Sequence, residues 1–227
     1  MFSREIAENP VPGASWQRLV LTGYRGTGKT TIGRLLADHF SCAFVDTDAL
    51  IANPHPACRD NKGDESRVYQ ARTAPGFHIK QAEMTIRALI ASQGWEEFRR
   101  LEREVLAGLA EQTGLVIATG GGAILHEQAW QTLRKRSIVC WLTAEPATVL
   151  ERLNRDERSA DQRPPLSGMQ PADEIRQQLA RRLPLYRQGS DFAVATDQKT
   201  PEAIAAEILL RMEGVAGTIR EKNVREA

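Results

Sequence analysis

The run Gly23-Tyr24-Arg25-Gly26-Thr27-Gly28-Lys29-Thr30 most constrains what this chain can become. It matches GxxxxGK[ST], a phosphate-binding loop that works only between a buried strand and the start of a helix. The flanks supply that context. Arg18 to Leu21 is a short apolar run, and Thr30 to Phe40 places Ile32, Leu35, Leu36 and His39 or Phe40 near one helical face. Glycines let the backbone curl so that successive amides point at phosphate oxygens, and the helix N-terminus adds unsatisfied N–H groups. Lys29 is placed to reach the β- and γ-phosphates, and the Thr30 hydroxyl to ligate Mg²⁺. The plain alternative is a glycine-rich turn with an incidental lysine; the full motif in its proper context weighs against it.

The remaining chain repeats the strand-then-helix rhythm. Ala43 to Val45, Leu115 to Ala118, Ile138 to Leu142 and Phe192 to Ala195 read as further strands. Phe98, Leu101, Val105 and Leu109 make a helical stripe, as do Ala205, Ile208, Leu209 and Met212. Short buried strands alternating with helices predict an α/β three-layer sandwich: a five-stranded parallel sheet covered on both faces by right-handed crossovers. Ligands in such sheets bind beyond the C-terminal strand ends, so the residues just after each strand carry most information.

Composition removes whole classes. With 30 Lys and Arg against 29 Asp and Glu, the net charge of +1 gives no general attraction for nucleic acid or anionic membrane. The cysteines Cys42, Cys58 and Cys140 are odd in number and contain no CxxC, which fits a reducing, cytoplasmic setting. No apolar run approaches the roughly 20 residues that span a bilayer, and residues 1–16 lack the apolar core of a secretory signal. A small-molecule enzyme acting as a monomer is expected.

After the second strand comes Asp46-Thr47-Asp48. Residues two apart in an extended chain point the same way, so both carboxylates are expected to face the phosphate site. One would orient the waters of Mg²⁺; the other would position an acceptor hydroxyl and take its proton. A turn or helix cap is the structural alternative. After the third strand, Thr119 is followed by Gly120, Gly121 and Gly122, a run that favours close approach of a ligand to backbone.

Taken in order, these pieces resemble the shikimate kinase family of P-loop proteins. The resemblance runs from about Arg18 to Met212 and includes Gly94 with Phe98-Arg99 and Glu102, Arg163-Pro164-Pro165-Leu166, and Arg182-Leu183-Pro184-Leu185-Tyr186. It implies ATP-dependent phosphorylation of the 3-hydroxyl of shikimate, with ATP and Mg²⁺, on a five-stranded sheet carrying a lid and a small helical substrate-binding subdomain; the alternatives are a related kinase of another small hydroxy acid such as gluconate and a non-catalytic nucleotide-binding regulator. By matched position, Asp48 is the base that holds the acceptor hydroxyl, and Asp46 acts on Mg²⁺ through water. Arg99 and Arg182 clamp the substrate carboxylate, while Gly120, Gly121 and Gly122 approach the substrate. Gly26, Thr27, Gly28, Lys29, Thr30 and Thr31 bind ATP, Arg163 comes from the lid onto its phosphates, and Arg152 and Pro201 flank adenine. Two parallel donors suit a carboxylate, which arginine provides and lysine does not. Glu102, three residues after Arg99, has the helical spacing to orient its guanidinium. The same arginines would otherwise be surface residues, paired with Glu102 or Asp191.

The kinase domain is thus expected over 17–212, with a lid at about 156–171, an N-terminal arm at 1–16 and a frayed tail at 213–227. Residues 53–83 form an insertion with three readings: a tolerated loop, a cover for the substrate site or a self-association element. His55, Cys58 and His78 in it fall short of the four ligands of a structural zinc site. Trp95 stands after Gly94 where the family usually has glutamate, and is expected to alter packing near Arg99.

Overall fold

The computed structural model describes residues 16–52, 85–155 and 170–225. The strands are β1 (Arg18–Thr22), β2 (Ala43–Asp46), β3 (Leu115–Ala118), β4 (Ser137–Thr143) and β5 (Phe192–Ala195). The helices are α1 (Lys29–Phe40), α2 (Thr47–Ala52), α3 (Ile86–Ala110), α4 (Glu127–Arg134), α5 (Pro146–Arg155), α6 (Pro171–Gly189) and α7 (Pro201–Arg225). All strand pairs are parallel, in the order β2-β3-β1-β4-β5. The register sets Asp46 beside Ala118 and Leu21 beside both Ala118 and Cys140, so β1 and β3 end level with β2 at one edge.

The sheet is apolar because helices cover both faces. On one side Val20, Val45, Ile117 and Val139 meet Leu50 and Ile51 of α2, the α3 stripe Phe98, Leu101, Val105 and Leu109, and Trp130 of α4. On the other, Leu19, Leu21, Val116 and Ile138 meet Ile32 and Leu36 of α1 and Ile204, Ile208 and Met212 of α7. Burying side chains of this kind contributes about 1.5–3 kcal/mol each, which is what drives two-sided coverage.

Gly94 divides α3: its backbone (φ 84°, ψ 170°) is non-helical, so the chain enters the Arg99 turn at a new angle. Two boundaries differ from the sequence reading. Trp16, assigned to the arm, is buried and meets Phe40 edge-on at 5.6 Å, because the core behind α1 has room for an indole. The tail assigned from Glu213 onward is helical as far as Arg225, and Val215 packs on the core, so the chain does not fray at Met212. The insertion at 53–83, with His55, Cys58 and His78, and the lid up to 169 lie outside the described residues. No described helix is long and apolar enough to cross a membrane.

Arg18 shows how misleading a lone cation can be. It is 2% exposed at the N-terminal end of the central strand β1, opposite the phosphate loop. Its guanidinium donates to Ser137 Oγ (3.0 Å) and to the carbonyls of Ala110 (2.7 Å), Gln112 (2.5 Å) and Lys135 (2.5 Å). Burial pulls its pKa below the ordinary arginine value, with Glu111 opposing. Replacing Arg18 by Met strands these acceptors, at a cost of about 3 kcal/mol. Urea unfolding is expected to show a lower midpoint with unchanged m, and the Michaelis constants should not move.

Candidate active site

The phosphate loop leaves β1 through three glycines with positive φ: Gly23 (140°), Gly26 (78°) and Gly28 (89°). A Cβ on Gly23 would collide with the Leu142 carbonyl, so both space and conformation require glycine there. Thr27 braces the loop by donating to Tyr24 O at 2.8 Å. Gly28 caps α1 without any side-chain hydrogen bond, and the first turn carries no acidic residue. The helix terminus therefore keeps its amides and positive dipole for an anion. Lys29 Nζ sits over the loop, donating to Gly23 O (3.0 Å) and Tyr24 O (2.8 Å). Thr31 is exposed beside it on α1.

Asp46 ends β2 and performs two tasks. Its Oδ2 accepts from Thr30 Oγ1 at 2.7 Å, and its Oδ1 accepts from the amides of Asp48 (3.0 Å) and Ala49 (3.3 Å). The extended geometry expected for Asp46-Thr47-Asp48 is thus corrected: the strand stops at Asp46, and Asp48 lies in the first turn of α2. The two carboxylates are related as cap and helix rather than as strand neighbours. Thr47 between them accepts from the Gly120 amide at 2.7 Å, tying the acidic turn to the glycine run.

That run receives both arginines. Arg182, 5% exposed on α6, donates from Nη1 to Gly121 O at 3.0 Å and from Nη2 to Gln178 Oε1 at 3.1 Å. Tyr186, one turn on, donates its hydroxyl to the same Gly121 carbonyl at 2.8 Å. Arg99, from α3, lies against Gly122 so closely that a Cβ there would overlap its guanidinium. Arg99 pairs with buried Glu102 and lies 5.4 Å from the Trp95 ring centroid and 5.5 Å from that of Phe98. Trp95 thus supplies Arg99 with an aromatic wall. Asp191 is engaged elsewhere, accepting from Val139 N at 2.7 Å and lying 3.8 Å from Arg134.

The glycine run and the phosphate loop touch. A Cβ on Gly121 would lie 3.4 Å from Gly23 O, 3.5 Å from Arg25 N and 3.7 Å from Arg182 Nη1. Tyr24 of the phosphate loop has its ring centroid 5.7 Å from the Arg182 guanidinium and 6.0 Å from that of Arg25. Burial pushes the Tyr24 phenol up, and the two arginines pull it back.

On the far side, Arg152 of α5 donates to Gly26 O (3.2 Å), Thr196 Oγ1 (2.9 Å) and Thr196 O (2.7 Å). It joins the phosphate loop to the segment leading into Pro201, the first residue of α7. Arg163 lies outside the described residues. Sequence reasoning did not single out Thr47, Tyr24 or His126 as site residues. Only Thr47 carried a local signal, its place between two aspartates.

A family model described as shikimate kinase matches residues 25–57 and 76–213. The shikimate kinase of Symbiobacterium thermophilum is 35% identical over 195 residues, covering 86% of this chain and 95% of that protein. That of Moorella thermoacetica is 37% identical over 190 residues, covering 84% and 91%. Among solved structures, shikimate kinase from Acinetobacter baumannii in complex with shikimate aligns with a TM-score of 0.70 at 29% identity, over 88% of this chain and 95% of that one.

Gly122 has an ordinary backbone (φ −95°, ψ −8°), so only space requires glycine there. In Gly122→Ala the new methyl displaces the flexible end of Arg99. Thermal stability should change by less than about 1 kcal/mol. The KM for a carboxylate-bearing substrate should rise about tenfold, with the KM for ATP unmoved.

Proposed function

The chain belongs to the shikimate kinase family, and we propose how its own residues divide the work of that family's reaction. The reaction transfers the γ-phosphate of ATP to the 3-hydroxyl of shikimate, giving shikimate 3-phosphate in aromatic amino acid (chorismate) biosynthesis, with Mg²⁺ as cofactor. The observation that carries the residue assignment is the meeting of Arg99 and Arg182, from separate helices, on consecutive glycines beside the phosphate loop.

The amides of Gly26, Thr27, Gly28, Lys29, Thr30 and Thr31 hold the phosphates, and Lys29 exchanges the loop carbonyls it now contacts for phosphate oxygens. Thr30 Oγ1 and Asp46 Oδ2, 2.7 Å apart, form a hard-oxygen pair suited to Mg²⁺, with Thr30 ligating directly and Asp46 through water. The ion when bound offsets charge on the phosphate oxygens. Arg99 and Arg182 grip the substrate carboxylate, and Gly120, Gly121 and Gly122 set the ring height beneath it. Asp48, in the first turn of α2 next to the Thr47 that holds the Gly120 amide, orients the 3-hydroxyl and accepts its proton as that oxygen bonds to the γ-phosphorus and ADP departs. Arg163 meets the transferring phosphoryl on lid closure, excluding water. Arg152 and Pro201 border the adenine. The free thiols Cys42 and Cys140 support a cytoplasmic setting, and the net charge of +1 supports a monomer acting on a small molecule rather than on nucleic acid or membrane.

ADP release against shikimate, quinate and gluconate tests acceptor choice; shikimate should be strongly preferred, and no shikimate-dependent turnover by folded, ATP-binding protein would refute the assignment. Asp48→Asn should lower kcat by about 10²-fold or more while the Kd for ATP stays within a factor of about two. Retained turnover would remove the base role. Arg99→Lys should raise the KM for shikimate well above any change for ATP, whereas equal changes would argue against the clamp.

A further inference from the structure

His126 is a buried group that the reaction as assigned leaves unused. It is 8% exposed and lies where the 3₁₀ turn Ala123–Leu125, which follows Gly122, runs into α4. Its backbone is held on both sides: its amide donates to Ala123 O at 3.1 Å, and its carbonyl accepts from Trp130 N at 2.8 Å. The ring is thereby aimed at α3, where Nε2 lies 3.0 Å from Glu102 Oε2. Glu102 is 3% exposed and pairs with Arg99 through the same oxygen.

An ionised carboxylate only accepts hydrogen bonds. With Glu102 ionised by its partner Arg99, the imidazole nitrogen facing it must carry a hydrogen. One buried oxygen is then shared between the Arg99 guanidinium and the His126 N–H. The sharing matters because both bonds lie where the dielectric is low and charge-assisted bonds are strong. A carboxylate committed wholly to Arg99 would neutralise the cation that a substrate carboxylate needs. The His126 N–H is a competing donor on that oxygen, and it comes from the same short segment that carries the glycine run.

We propose that His126 is a positioning residue for substrate binding: its imidazole anchors the Glu102 carboxylate that holds Arg99, and so sets the affinity for the substrate carboxylate. The proposal rests on the reading of Arg99 as a substrate clamp. That reading fails separately, if Arg99→Lys leaves the KM for shikimate unchanged.

The test compares His126→Leu, which keeps bulk but removes the donor, with His126→Gln, whose amide can place an N–H near the Nε2 position. His126→Leu should raise the KM for shikimate about fivefold to tenfold, with kcat and the KM for ATP within about twofold. His126→Gln should recover most of that loss. In an Arg99→Lys background the His126→Leu effect should largely vanish, since the two act through one carboxylate. An unchanged KM for shikimate in His126→Leu, equal changes for both substrates, no recovery in His126→Gln, or full additivity with Arg99→Lys would overturn the proposal. Nitrogen-15 NMR of the wild-type protein gives a readout independent of whether His126→Leu folds. The His126 signal, assigned by its loss in His126→Gln, should show a protonated Nε2 that shifts when shikimate is added. An unprotonated Nε2, or no shift at saturating shikimate, would equally overturn it.

Discussion

The carbonyl of Gly121 is the point on which the arrangement around the glycine run hangs. It accepts from Arg182 and Tyr186 at 3.0 and 2.8 Å, so α6 is fixed to the end of β3 by two donors on one oxygen. The neighbouring amide, Gly120 N, is fixed to Thr47 and therefore to α2. The neighbouring Gly122 gives its missing side-chain volume to the Arg99 guanidinium from α3. Three helices far apart in sequence thus converge on consecutive peptide units. A side chain at Gly122 would take the space the Arg99 guanidinium now occupies.

The electrostatics follow from that convergence. A chain of net charge +1 has no general field to attract an anion. It relies on placement instead: an α1 terminus with no acidic residue in its first turn, Lys29 over the loop, and Arg25 and Arg182 on the Tyr24 ring. Arg18 makes the contrast. It is as buried as any of these, yet its donors are taken up by backbone carbonyls and Ser137 Oγ at the N-terminal end of the central strand, away from the phosphate loop. Whether a buried arginine is structural or functional depends on what its guanidinium faces.

Much was legible from sequence because periodicity and glycine spacing are local. The five strands, the phosphate loop and the α3 stripe were each readable within a short window. The reading slipped where a local rule met a longer-range one. Asp46 and Asp48 were treated as strand neighbours, but Asp46 caps α2, so the chain turns between them. Glu213 onward looked too polar to persist, but α7 continues on the support of its packed face. Trp95, expected to alter packing near Arg99, packs its ring against that guanidinium.

The sequence by itself determined the chemistry of the phosphate half, because GxxxxGKT places loop, lysine, hydroxyl and helix terminus within a few bonds of one another. It also determined which residue types were available for an anionic substrate. Only the tertiary structure decided which arginines reach the glycine run and which bind backbone carbonyls at the far end of β1. Arg18, Arg99 and Arg182 are the same residue to any local rule; parallel strand order and helix packing leave the first at the N-terminal end of the central strand and carry the other two onto the glycine run. The pairing of His126 with Glu102 belongs to the same class, since no short window holds both, and the contact exists only because α3 packs beside the turn that follows β3.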